Sequence, residues 1–208
     1  MSKVKICGLT RVEDIDAVNY SKPDFIGFVF APSRRRVSID TAAALKAKLD
    51  PQIKSVGVFV NEAVESVAGI YNKGIIDIAQ LHGDENPEYI QRLKDVCECP
   101  IIKSISVGAN YAIPIFDPFP IAPDYLLFDT TSAQRGGGGK AFDWHILEGY
   151  SGLPYFLAGG LSAATVTGAI HLLGPHGIDV SSGVETNGIK DAAKIDEFVR
   201  KVRAVVNQ

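Results

Sequence analysis

Short runs of β-branched and aromatic residues recur along this chain. They are separated by longer stretches in which the apolar positions return every three or four residues. The first kind of pattern reads as buried strands and the second as amphipathic helices. Bounded by Gly, Pro or Asp, the runs are Val4 to Cys7, Phe25 to Phe30, Ser55 to Val60, Asp77 to His82, Ile101 to Ser106, Tyr125 to Thr130, Tyr155 to Gly160 and Ile178 to Gly183, which predicts eight strands. Helical periodicity follows most of them: RVEDIDAVNY, DTAAALKAKL and EAVESVAGIYNKG after the first three, NPEYIQRLKDVC after the fourth, SAATVTGAIHLLG after the seventh and DAAKIDEFVRKVRAVV after the last. Asp, Ser or Asn stands near the helix starts and Gly after several ends. The stretch NYAIPIFDPFPIAPD, after the fifth strand, is too rich in proline for a helix and is expected to be irregular.

Strands that alternate with helices pair in parallel through right-handed crossovers, and eight such units are the number that closes a (β/α)8 TIM barrel. The expected fold is therefore α/β, a single barrel domain over residues 1–208. A doubly wound open sheet competes, but it would carry a glycine-rich turn directly after its first strand, where only Gly8 stands.

Composition narrows the function. With 46% hydrophobic and 22% charged residues in 208, the chain has the balance of a globular protein. Neither a leader nor a bilayer-length apolar run is visible, so a cytoplasmic protein without a membrane partner is expected. A net charge of -3 argues against a nucleic-acid partner. Three cysteines do not make a disulfide framework and are expected to be free.

In such barrels the chemistry gathers where the strands end. Cys7 ends the first strand, His82 the fourth and Asp129 the sixth. Alternation puts Lys5 on the face of Cys7, and a cation there is expected to lower the thiol's pKa. The competing reading of Cys7 is a small buried hydrophobe. His82 is either ligand-facing or a satisfied structural imidazole, and Asp179 in the eighth strand is a further substrate-binding candidate.

Three glycine-bearing strand ends suit a phosphate, because their amides are not screened by side chains. These are Gly136, Gly137 and Gly138 in DTTSAQRGGGGKAFDW, Gly159 and Gly160 in LAGGL, and Ser182 and Gly183 in DVSSGVE. The first is not a Walker loop, since Gln134 stands where Gly is required and Ala141 follows Lys140; a solvent loop is its alternative. SRRRVS, after the second strand, offers a guanidinium fork for a carboxylate or else is a solvated basic loop. Cys97, Cys99, His171 and His176 do not have the spacing of a zinc site, so no metal is expected. Trp144 and His145 in FDWHIL are expected to begin a helix packed on the barrel.

Read in order, KICGLT, GFVF with SRRRVS, GVFVN, QLHGDE, FDT with GGGGKAFDW, LAGGL and DVSSGVE resemble the phosphoribosylanthranilate isomerase family of tryptophan biosynthesis, over Lys5 to about Asp191. The resemblance implies a (β/α)8 barrel that performs the Amadori rearrangement of N-(5-phosphoribosyl)anthranilate to 1-(2-carboxyphenylamino)-1-deoxyribulose 5-phosphate without a cofactor. It further implies Cys7 as general base, Asp129 as general acid and Arg35 as the substrate-binding arginine, flanked by Arg34 and Arg36. A departure lies at Gly138, where the family commonly has Ser or Thr. The expected partner is the small-molecule substrate, and the expected state a monomer, with a homodimer the alternative. Other phosphosugar barrels remain competitors: indole-glycerol-phosphate synthesis needs a lysine with a glutamate, and pentose-phosphate epimerisation a metal, neither evident here. A non-catalytic phosphate-ligand sensor is the third reading.

Overall fold

In the computed structural model, residues 1–107, 122–130 and 143–205 are described. Its strands are β1 (Lys3–Cys7), β2 (Phe25–Val29), β3 (Lys54–Phe59), β4 (Ile78–Leu81), β5 (Ile101–Val107), β6 (Tyr125–Thr130), β7 (Tyr155–Leu157) and β8 (Gly177–Val180). All pair in parallel, and β1 bonds to both β2 and β8, so the sheet closes in the order β1 to β8. The helices are α1 (Val12–Ser21), α2 (Ile39–Lys46), α3 (Val64–Asn72), α4 (Pro87–Val96), α5 (Val166–Leu173) and α6 (Ala192–Ala204). The proline-rich stretch from 108 to 121 and the run Gly136, Gly137 and Gly138 lie outside the described residues.

Helix boundaries follow their capping chemistry. Ser38 accepts the Thr41 amide at the start of α2, Asn86 the Tyr89 amide at α4, and Asp191 the amides of Ala193 and Lys194 at α6. Gly174, in the left-handed region at φ 54°, ends α5. Trp144 begins the expected helix as a single 3-10 turn, Trp144–Leu147, capped by Asp143 and packed on the core.

Two strands stop three residues short of their predicted ends. β7 ends at Leu157 instead of Gly160, because Gly159 and Gly160 turn into the left-handed region at φ 84° and 68°. β8 ends at Val180 instead of Gly183, since Ser181 leaves extended backbone at φ -126°, ψ -78° and a 3-10 turn, Ser182–Val184, follows. Beyond it, β9 (Glu185–Thr186) and β10 (Ile189–Lys190) form an unpredicted hairpin. Its turn residues Asn187 and Gly188 both take positive φ, 53° and 80°, as a tight hairpin turn with the strands' twist requires.

Alternation along the strands splits the barrel interior into two layers. Val56, Ile78, Ile102, Leu127 and Phe156 fill the lower part as one apolar cluster, with Phe25 and Tyr125 packed on it. Two residues further along several of the same strands stand Gln80, Asp129 and Ala158, and Cys7 ends β1. A second apolar core, including Ile6, Phe28, Leu81, Phe128 and Phe198, lies between barrel and helices and fixes the wall.

Candidate active site

Register places the first pair of charges. Lys5 on β1 lies beside Asp179 on β8 as a Cα partner, and Nζ meets Oδ1 at 3.0 Å with the lysine side chain wholly buried. Burial opposes the charge on Lys5, yet attraction to Asp179 and Cys7 raises its pKa. Cys7 faces Gly27 across β1 and β2, and a Cβ at Gly27 would come within 2.7 Å of Sγ. The sulfur therefore occupies space that only a glycine leaves open.

The expected fall in the thiol's pKa is not found. Burial pushes Cys7 up, and the opposing pull of Lys5 is offset in part by Asp179, with Lys190 adding a second lowering influence. The cation beneath the sulfur is already matched by a carboxylate, so its field at Sγ is diminished. Cys7 is therefore a thiol rather than a thiolate at neutral pH.

On the far side, Asp129 closes β6 and His82 follows β4, with His82 Nε2 at 3.7 Å from Asp129 Oδ2. Gln80, two residues before His82 on the same face, places Nε2 at 3.0 Å from His82 Nδ1. Burial lowers the imidazole's pKa despite Asp129 and Asp179, so His82 is neutral near neutral pH. Gln80 Oε1 is buried without a hydrogen-bond partner among the described residues, at the cavity wall.

Arg35 leaves the loop after β2 and runs across Gly8, where a Cβ would lie 2.4 Å from its Cδ. Gly8 also takes φ 85°, which a side chain would strain. The guanidinium is held by Glu185, Nε to Oε1 at 2.7 Å and Nη2 to Oε2 at 3.0 Å. Lys190 Nζ bonds the same Oε1 at 2.6 Å and the Ser181 carbonyl at 2.9 Å, while Ser181 Oγ donates to the Cys7 carbonyl at 2.9 Å.

These parts meet in one cavity of about 340 Å³ at the C-terminal ends of the strands. Its walls include Cys7, Arg35, His82, Asp129 and Asp179. Gly159, Gly160, Ser182 and Gly183 complete the β7 and β8 side. Of the three arginines only Arg35 lines it; Arg34 and Arg36 are exposed. Gln80, Ser181, Glu185 and Lys190 were missed from the sequence. Alternation from His82 would have found Gln80, whereas nothing local marks Glu185 as the partner of an arginine some 150 positions away. Among the described residues no group of three or more His, Cys, Asp or Glu side chains is placed to hold a metal ion.

A parallel barrel with acid, thiol and arginine around one mouth is that of a (β/α)8-barrel enzyme. The family described as N-(5'phosphoribosyl)anthranilate (PRA) isomerase matches residues 4–201. An N-(5'-phosphoribosyl)anthranilate isomerase of Acetivibrio thermocellus is 47% identical over 214 residues, covering 98% of this chain and 96% of that protein. The crystal structure of phosphoribosyl anthranilate isomerase from Thermus thermophilus superposes with a TM-score of 0.85 at 31% identity, covering 97% of this chain and 98% of that one. A phosphoribosyl anthranilate isomerase in complex with reduced 1-(o-carboxyphenylamino)-1-deoxyribulose 5-phosphate matches at a TM-score of 0.81 and 31% identity, covering 99% of this chain and 100% of that one. The chain belongs to the N-(5'-phosphoribosyl)anthranilate isomerase family.

Proposed function

We propose that this chain converts N-(5-phosphoribosyl)anthranilate to 1-(2-carboxyphenylamino)-1-deoxyribulose 5-phosphate by general acid–base catalysis, with Asp129 as the acid and Cys7 as the base. The observation that carries the reading is that a carboxyl on β6 and a thiol on β1 line one cavity, so a sugar can lie between them. Asp129 gives a proton to the ribose ring oxygen as the C1–O bond breaks and the anilino nitrogen's lone pair forms C1=N. The iminium acidifies C2, the Cys7 thiolate removes that proton, and the resulting enolamine tautomerises to the 2-ketone. Atoms balance within an isomerisation, and no redox group or cofactor is required.

Arg35 binds the anthranilate carboxylate, and His82 and Asp179 contact the sugar. Phosphate sits against the amides of Gly159, Gly160, Ser182 and Gly183; Gly136, Gly137 and Gly138, the further phosphate-binding candidates from the sequence, lie outside the described residues. In support, the Gly159 and Gly160 amides have no acceptor among the described residues. The reading places the enzyme in the cytoplasm as a monomer, the latter tested by sedimentation velocity. No helix among the described residues is long and apolar enough to cross a membrane.

The test is turnover of N-(5-phosphoribosyl)anthranilate by purified protein, followed through loss of anthranilate-type fluorescence. Cys7→Ala and Asp129→Ala should each lower kcat by at least about 100-fold, the scale of a lost acid or base, with unchanged circular dichroism. Near-normal turnover in either variant removes that residue from the acid–base pair.

A further inference from the structure

We propose that Glu185, on the hairpin after β8, is a positioning residue that aims the outer edge of the Arg35 guanidinium into the cavity and so sets the preference for a substrate bearing an aryl carboxylate. The proposal rests on the reading of Arg35 as the carboxylate-binding group.

A guanidinium presents two forks, one through Nε and one terminal nitrogen, the other through both terminal nitrogens. Glu185 takes the first fork with both oxygens, and Arg35 Nη1 makes no hydrogen bond to the described residues. The second fork is thus left for a ligand on a side chain whose stem is confined over Gly8. A long arginine at a cavity wall would otherwise sample many rotamers, and fixing them beforehand removes that loss from the binding step.

Glu185 is itself immobilised. Its side chain is 5% exposed and accepts from Lys190 and Arg34 as well, Arg34 Nη2 reaching Oε2 at 2.7 Å. Lys190 is its Cα partner across the hairpin and is anchored to Ser181. Arg34, Arg35 and Lys190 carry three positive charges against the one carboxylate, so the cluster stays cationic towards an incoming anion. Although burial opposes this, Arg35 and Lys190 hold the Glu185 carboxyl below its usual range, which keeps it charged at neutral pH.

A competing arrangement can be drawn from the same atoms: Glu185 could be a rival anion that substrate must displace, and its removal would then tighten carboxylate binding. The two are separated by inhibition constants for reduced 1-(o-carboxyphenylamino)-1-deoxyribulose 5-phosphate and for its phenylamino counterpart lacking the carboxyl. The second constant divided by the first measures what the carboxylate contributes. Glu185→Gln is expected to lower that ratio about tenfold, the scale of a lost charge-assisted bond, and to raise KM far more than it lowers kcat. Glu185→Asp, which keeps the charge but shortens the reach, is expected to fall between; it carries the test alone if Glu185→Gln does not fold. Arg35→Ala is expected to bring the ratio near one. A wild-type or increased ratio in the Glu185 variants, with the ratio collapsed in Arg35→Ala, overturns the role of Glu185 alone. A ratio unchanged in Arg35→Ala overturns the Arg35 reading and this proposal with it.

Discussion

Glu85 and Glu185 are both carboxylates sunk at the rim of the barrel, each with a buried lysine, yet they do different things. Glu85 accepts the backbone amides of Asn61 and Gly83 at 2.7 and 2.9 Å together with Lys103 Nζ at 2.8 Å. It therefore ties the loops after β3 and β4 to β5, and none of these groups lines the cavity that holds Cys7 and Asp129. Glu185 bonds three cationic side chains, and one of them, Arg35, is a cavity wall. Burial and charge alone do not separate a structural hub from a functional one; what separates them here is whether the partners are backbone amides or a side chain with an unused face towards the ligand.

The largest expected effect lies on the structural side. Glu85→Gln leaves Lys103 buried without its counter-charge, which should cost about 3–5 kcal/mol in denaturant unfolding, while KM at saturating stability conditions changes little. Acidification sharpens the contrast: Lys103 and the Asn61 amide hold the Glu85 carboxyl below its usual range against burial. Its contribution is therefore complete above the ordinary carboxylate pKa and is lost as pH falls through the depressed one. The Glu85→Gln variant should lack that part of the acid dependence, and an identical pH–stability curve would make the tie inconsequential.

Next in size is Arg35→Ala, expected to raise KM by roughly 10- to 100-fold from lost charge-assisted bonds, with kcat nearly kept and unfolding little changed. If Arg36→Ala has the larger effect, the exposed neighbour rather than the cavity-facing residue reads the carboxylate. Smaller again is Gly8→Ala, which forces a side chain to φ 85° and against the Arg35 stem. It should cost about 1 kcal/mol of stability and raise KM several-fold; a change in stability with KM untouched would show that Arg35 does not depend on the stem contact.

Much of this architecture was legible in the sequence because it is periodic. β6 matches its predicted run, and the remaining strands differ only at their ends, where local backbone overrides composition: Gly159 and Gly160 look like strand ends but turn left-handed. Cys7, His82 and Asp129 could be placed at the mouth because strand ends are local properties. Glu185 could not be linked to Arg35, nor Lys190 to Ser181 and the Cys7 backbone, because those bonds join elements through the closed sheet and the hairpin. The thiol's pKa was misjudged for the same reason. Lys5 was visible two residues away, but the burial of Cys7 that outweighs it comes from the closed barrel, and the counter-charge Asp179 that further offsets it sits on the strand that closes that barrel.

With its pKa raised by burial, the Cys7 thiol must, on the proposed mechanism, lose its proton before it can take one from C2. The pH dependence of kcat/KM, which reports groups of the free enzyme, examines this directly. In the wild-type protein kcat/KM should climb on the alkaline side of neutrality, approaching tenfold per pH unit below the thiol pKa, and in Cys7→Ala the residual rate should lose that climb. An alkaline limb that persists unchanged in Cys7→Ala would assign the proton transfer to another group.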